Sequence, residues 1–376
     1  MTREETWDKA YKRIFELYGE DPDFRIVNRF LSEKAALAHF GVVEYFEELA
    51  GICQESIEKY NEKLVVKNTV ASCFTAYLLG ASEINPLPPH YYCETCKRVE
   101  WIDEDDCVFD MRSTRTCECG AIMRADGYNL PYETYIPYAQ KLKTKDPVPE
   151  NYKDLFEALT KKHFQWSLLG AAQAVNLLGQ ATGVRPEEID LSDREVKYRL
   201  LGGDFDFSCM HPKLAEFLKQ AYTIVQPSNY NELLKLIGMA HGTQVWKNNA
   251  EDLIKDDVTD LSEIPATRDE VFVWMRDMMQ EVGIYDTGFA YNISDNARRG
   301  YYAENGMDEY TLDILRNYGG WLGDYVLTVR YMSTKALSVM ELHYIILLTW
   351  YQTYYPKQYA EVIGDENIWE GGQENG

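Results

Sequence analysis

Cys93-Glu94-Thr95-Cys96 and Cys117-Glu118-Cys119 set two close cysteine pairs about twenty residues apart, and this spacing constrains the chain more than any other feature. Each pair sits in a stretch short enough to be one tight turn. Two such turns facing each other bring four thiolates to the corners of a tetrahedron, the arrangement a Zn²⁺ ion takes. Gly120 follows the second pair and suits a turn whose amides point at the sulfurs. With all four positions filled by protein the site is closed and structural, and it compensates for the small core of a short module. Because C-x-C is less usual than C-x-x-C, Cys107 or His90 stands as an alternative for one ligand. Cys53, Cys73 and Cys209 lie among apolar neighbours and read as small core residues.

The sequence has 376 residues, with 38 Lys+Arg against 61 Asp+Glu for a net charge of −23. That length allows two or three domains, each with a sizeable core. The negative excess works against broad contact with a phosphate backbone, so any nucleic-acid contact needs a local basic patch. Lys141, Lys143 and Lys145 begin the one candidate, and Lys153, Lys161 and Lys162 continue it. The segment Glu251 to Glu270 is the opposite, with eight acids and two bases, and reads as a solvated face. The N-terminal MTREETWDKAYKR has no apolar core of a signal peptide, and the apolar stretch Tyr344 to Trp350 is too short to span a bilayer. A soluble, cytoplasmic protein without a membrane partner is the expectation.

From Thr2 to about Tyr60 the pattern is helical, with Trp7, Tyr11, Ile14 and Leu17 on one stripe and Phe24, Val27, Phe30 and Leu31 on the next. Leu64-Val65-Val66 predicts a short strand leading into a helix over Thr69 to Gly80. Asn85-Pro86-Leu87-Pro88-Pro89-His90 cannot be helical, because proline removes donors and holds its predecessor extended. Tyr91 to about Pro131 reads as a small module of turns and short strands, and helix patterns dominate from Pro212 onward. The fold class is α+β, mostly α-helical.

Ser82-Glu83-Ile84-Asn85-Pro86-Leu87-Pro88-Pro89-His90-Tyr91, followed closely by the first cysteine pair, resembles the PolC-type C-family bacterial DNA polymerase III alpha subunit. The resemblance continues through Asp126-Gly127-Tyr128-Asn129-Leu130-Pro131-Tyr132-Glu133-Thr134, then through Ala240-His241-Gly242-Thr243-Gln244-Val245-Trp246, and again from Arg330-Tyr331-Met332 through Lys335-Ala336 to Tyr355-Pro356. It implies a four-cysteine zinc module beside a palm, then a helical fingers region. Cys93, Cys96 and Cys119 match the family's ligands, while the third falls at Thr116 in an ungapped register with Cys117 one place later. The implied division is a helical palm remnant over 1–88, the zinc module over 89–135, a linker with palm remnant over 136–180, a fingers-like domain over 181–366 and a tail over 367–376. Arg330, Lys335 and His241, with the Lys141, Lys143 and Lys145 patch, are the candidate contacts to nucleic acid or a partner.

The resemblance does not carry the family's chemistry with it. Two-metal phosphoryl transfer requires carboxylates that hold Mg²⁺. The positions that match the family's Asp-Ile-Asp pair read Lys145 and Pro147, and the third aspartate is matched by Ser167. The Gly-rich phosphate loop is matched by Val65 to Cys73, which has no glycine. Lys335 is kept, but the histidine two residues later is Leu337. The expectation is a pseudoenzyme that holds structural zinc, needs no Mg²⁺, and binds a protein partner in DNA replication more readily than nucleic acid. Two alternatives remain: a minimal nucleotidyltransferase with carboxylates relocated to Asp204 and Asp206, and an acidic decoy that competes with the replicative polymerase. Gln165-Trp166-Ser167-Leu168-Leu169 resembles the peptides that dock into sliding clamps, although its register with a palm strand argues for burial.

Overall fold

The computed structural model describes residues 2–61, 63–64, 69–102, 108–111, 115–136, 139, 169–204, 210, 212–318 and 320–364. They form two compact units, residues 1–200 with 343–376 and residues 201–342.

Helices α1 (Arg3–Tyr18), α2 (Phe24–Leu37) and α3 (Val42–Tyr60) open the first unit. Thr2 and Glu5 form a reciprocal capping box at the start of α1, satisfying amide donors that a helix N-terminus leaves free. Trp7, Ala10, Ile14 and Tyr18 recur at helical spacing and enter one core with Val42, Val43, Phe46 and Leu49 of α3. In α2 the buried stripe is Ile26, Phe30, Glu33 and Leu37, whereas Phe24 and Leu31 lie exposed. The apolar residues expected on that stripe are thus only partly the ones inside, because Phe24, Val27 and Leu31 fall on the neighbouring helix face while Glu33 shares the buried one.

Val65 and Val66 lie outside the described residues. The helix expected over Thr69 to Gly80 forms as two pieces, a 3₁₀ turn at Thr69–Ser72 and α4 at Phe74–Leu78. Cys73 between them is extended, with φ −96° and ψ 120°. Thr69, Val70 and Thr75 are β-branched and restrict χ1 in a helix, so the stretch does not sustain a single one.

Strands β1 (His90–Tyr92), β2 (Val99–Trp101) and β3 (Arg124–Asp126) form an antiparallel sheet in the order β2-β1-β3, with Tyr91 opposite Glu100 on one side and Ala125 on the other. Helices Leu169–Thr182 and Arg194–Gly202 follow. The Tyr351 hydroxyl donates to the Val184 carbonyl at 2.7 Å, fixing the end of the helix Lys335–Tyr354 within this unit.

The second unit is helical among its described residues. Its buried residues include Leu236 and Ile237 of the helix Tyr230–Ala240, Val271, Phe272 and Met275 of Arg268–Glu281, and Ile293 and Ala297 of Thr287–Arg298. The solvated face expected over Glu251 to Glu270 holds only in its first part. Asp252, Asp256, Asp257, Asp260 and Glu263 are exposed, but Arg268 and Asp269 are buried. The reason is a capping box: Thr267 and Glu270 close the N-terminus of the helix Arg268–Glu281 inside the unit. Lys235 Nζ lies 3.1 Å from Glu270 Oε1 and donates to the Ile264 carbonyl at 2.8 Å. Burial would raise the Glu270 carboxyl, yet the Lys235 and Lys335 ammonium groups hold it below its usual range. No described helix is long and apolar enough to cross a membrane.

Candidate metal centre and its surroundings

Two backbone knuckles build the cysteine site. In the first, the Lys97 amide donates to the Cys93 carbonyl at 2.8 Å and the Cys93 amide to the Arg98 carbonyl at 2.9 Å, with Lys97 at φ +63°. In the second, the Gly120 amide donates to the Cys117 carbonyl at 2.9 Å and the Cys117 amide to the Ala121 carbonyl at 2.8 Å. Gly120 takes φ +87°, where a side chain would be strained.

The knuckles bring Cys93 Sγ within 3.6 Å of Cys119 Sγ, and Cys96 Sγ within 3.4 Å of Cys117 Sγ. All four sulfurs lie within 4.8 Å of one another. Four thiolates on one zinc at Zn–S of about 2.3 Å stand roughly 3.8 Å apart, so the arrangement fits a tetrahedral ion. Cys93 and Cys117 are buried while Cys96 and Cys119 face solvent, giving an ion an entry path. The Cys96 amide on its sulfur is the main influence that draws the Cys93 thiol down to about 6. The Cys96 thiol receives the Arg98 amide, but its Cys117 and Cys93 neighbours push it up to about 12.

The C-x-C turn delivers Cys117 to the cluster, where it completes the set with Cys93, Cys96 and Cys119. His90 is not among the gathered ligands. It opens β1, where its Nδ1 lies 2.7 Å from the Pro88 carbonyl and its ring packs on Trp101 at 5.1 Å. Cys107 lies outside the described residues.

The segments flanking the cysteines, far apart in sequence, fold onto each other. The amides of Tyr128, Asn129 and Leu130 donate to the carbonyls of Asn85, Leu87 and Pro86 at 3.0, 2.9 and 3.1 Å. Buried Asn85 uses its Nδ2 to reach both Tyr18 Oη at 3.0 Å and Asp126 Oδ2 at 2.7 Å. A Cβ on Gly127 would stand 2.2 Å from the Pro88 carbonyl oxygen, and its φ of +93° is hostile to side chains. Gly127→Ala is expected to destabilise the fold by about 2–4 kcal/mol, read from the shift of the urea unfolding midpoint. A change below about 0.5 kcal/mol would mean that the two segments do not need this approach.

In the second unit, Thr243 and Tyr331 form an isolated antiparallel bridge, with the Thr243 amide donating to the Tyr331 carbonyl at 2.9 Å. It brings the His241 and Arg330 segments side by side. Arg330 Nε donates to Gln244 Oε1 at 2.7 Å, His241 Nε2 pairs with the buried carboxylate of Glu341, and the Lys335 amide donates to Asp269 Oδ2 at 2.7 Å. Trp246 is buried against Phe217. The candidate contacts Lys141, Lys143 and Lys145, the positions Pro147 and Ser167, the clamp-like residues 165–168 and Asp206 all lie outside the described residues; Asp204 is exposed.

Sequence reasoning did not find Glu33. Its carboxylate is fully buried and accepts from the Phe74 amide at 2.6 Å, the Thr75 amide at 2.9 Å and the Thr75 hydroxyl at 3.0 Å, with Arg29 Nε at 2.9 Å. Arg29 also donates to the Ser72 and Leu130 carbonyls, each at 2.8 Å. A charged residue on the stripe with Ile26, Phe30 and Leu37 was the available signal.

No family profile matches the chain. Among curated proteins it is similar to DNA polymerase III PolC-type from Staphylococcus haemolyticus, 22% identical over 95% of this chain and 32% of the relative. The proteins of the same description from Staphylococcus aureus strain MW2 and Caldanaerobacter subterraneus are 23% and 20% identical, over 95% and 94% of this chain. The chain is thus a distant PolC-like relative, and it spans about a third of the length of the curated relatives it matches. The alignment with the Staphylococcus haemolyticus protein runs over 482 residues, more than the 376 present here, so that protein carries positions this chain lacks.

Proposed function

We propose that this chain is a polymerase-derived binding protein linked to DNA replication, without nucleotidyl transfer of its own. The supporting observation lies at the stretch that the resemblance matches to the family's phosphate loop. Its described part, Thr69 to Cys73, has no glycine and is buried throughout. The next two amides, of Phe74 and Thr75, already donate to Glu33. A triphosphate needs amides open to it, as helix N-termini and nests supply elsewhere. The resemblance sets Lys145, Pro147 and Ser167 at the positions of the family's Mg²⁺-binding aspartates, and these residues cannot supply that ligand set. The retained segments around Gly127, Gly242 and Trp246 serve packing, and the four cysteines hold a structural zinc. The charge of −23 favours a protein partner over DNA.

Primer extension with Mg²⁺ or Mn²⁺ is the direct test, and no incorporation above a buffer blank is expected. Incorporation that disappears in an Asp204→Ala, Asp206→Ala double variant would overturn the proposal in favour of relocated carboxylates.

A further inference from the structure

The helices Arg268–Glu281 and Thr287–Arg298 form a hairpin whose turn runs from Val282 to Asp286. Turns in water are usually built from polar and small residues. Here Val282, Ile284 and Tyr285 are 40%, 39% and 81% exposed. Phe289, in the first turn of the second helix, meets Tyr310 edge to face at 5.9 Å, and Tyr310 is itself 66% exposed. Tyr310 belongs to the helix Glu309–Tyr318, so an aromatic pair joins that helix to the hairpin a few residues beyond its exposed apolar turn. Folding does not call for it, because the hairpin helices bury other faces, Val271, Phe272 and Met275 on one and Ile293 and Ala297 on the other.

The charges around it are mostly acidic. Glu281, Asp286, Asp308, Glu309 and Asp313 are exposed, 281–290 contains no lysine or arginine, and Arg316 is the one base in 307–316. We infer that this surface docks a basic partner segment, one that presents large apolar side chains between lysines or arginines. Apolar anchors in the centre with opposite charges at the rim are how specific interfaces divide affinity from steering. A nucleic acid is disfavoured because its phosphates would face five carboxylates. A second copy is disfavoured because a two-fold contact would set the same acids against themselves. The inference deepens the protein-binding reading above and rests on it.

The test uses the full chain and a labelled synthetic peptide carrying a Leu-Phe pair flanked by lysines, followed by fluorescence anisotropy. Saturable binding is expected, with affinity falling about tenfold in Tyr285→Ser and again in Tyr310→Ser, as for aromatic anchors elsewhere. Glu309→Lys with Asp313→Lys should shift preference towards a peptide in which the lysines are replaced by glutamates. All four positions are exposed, so the variants should keep the wild-type circular dichroism. No saturable binding, equal binding of the lysine and glutamate peptides, a single-stranded oligonucleotide competing at this surface, or a dimer in sedimentation that Tyr285→Ser dissociates would each overturn the proposal. Polymerase activity in primer extension would sink the proposed function and leave the peptide result standing. Inert primer extension without peptide binding would sink only the docking surface.

Discussion

Glu33→Ala is expected to destabilise the chain by about 3–5 kcal/mol, the range for breaking a buried ion pair from one side. The substitution leaves Arg29 without its carboxylate and strands three donors, the amides of Phe74 and Thr75 and the Thr75 hydroxyl. Each orphaned donor is costly where water cannot reach. The damage should also spread. α4 has five residues, too few to persist without support, and Glu33 serves as its N-terminal cap from another helix. Arg29, once freed, no longer holds the Ser72 and Leu130 carbonyls together. Glu33→Gln keeps the shape and one acceptor oxygen, so an intermediate loss is expected. Glu16→Ala, which breaks the exposed Arg13–Glu16 pair, should cost at most about 0.5 kcal/mol. Urea unfolding of the three variants checks the order. A loss below about 1 kcal/mol in Glu33→Ala would show that water replaces the carboxylate.

What the sequence made legible was local. The cysteine turns, the proline-rich break at Asn85 to His90 and the helices α1 to α3 follow from spacings of a few residues, and short-range physics sets them. Pairings across long separations were not legible. Glu33 and Phe74 are 41 positions apart, and nothing near Glu33 announces that its carboxylate will cap a remote helix. Charge counting misread Glu251 to Glu270 for a related reason. It sums residues regardless of position, whereas the Thr267-x-x-Glu270 signature divides the run at a helix start. The apolar turn at Val282 to Tyr285 escaped because the hydrophobic pattern alone cannot say whether a stripe is covered.

Removing the metal is expected to have a different and more confined effect. The purified chain should carry about one zinc, measured by atomic absorption, and Cys93→Ser or Cys117→Ser should lose most of it, whereas Cys53→Ser should keep it. Binding of a structural zinc supplies apparent free energies of about 10–16 kcal/mol in isolated fingers, enough to decide whether so short a module folds. Among the described residues the packed core around the cysteines is Cys93, Cys117 and Met123 with Tyr91 and Ala121 against them, a small cluster to hold the knuckles without the ion. The other side of the sheet is anchored independently. Trp101 Nε1 donates to Asp23 Oδ2 at 3.0 Å, the Tyr92 hydroxyl donates to the Leu17 carbonyl, and Asn85 reaches Tyr18. Chelation should therefore open the segments around Cys96 and Cys119 to hydrogen exchange and proteolysis, and leave α1 to α3 protected. Cobalt should restore protection and show the absorption of a tetrahedral thiolate site. A metal-free chain with the same protection at Cys96 and Cys119 as the zinc-loaded one would remove the ion from the account of this fold.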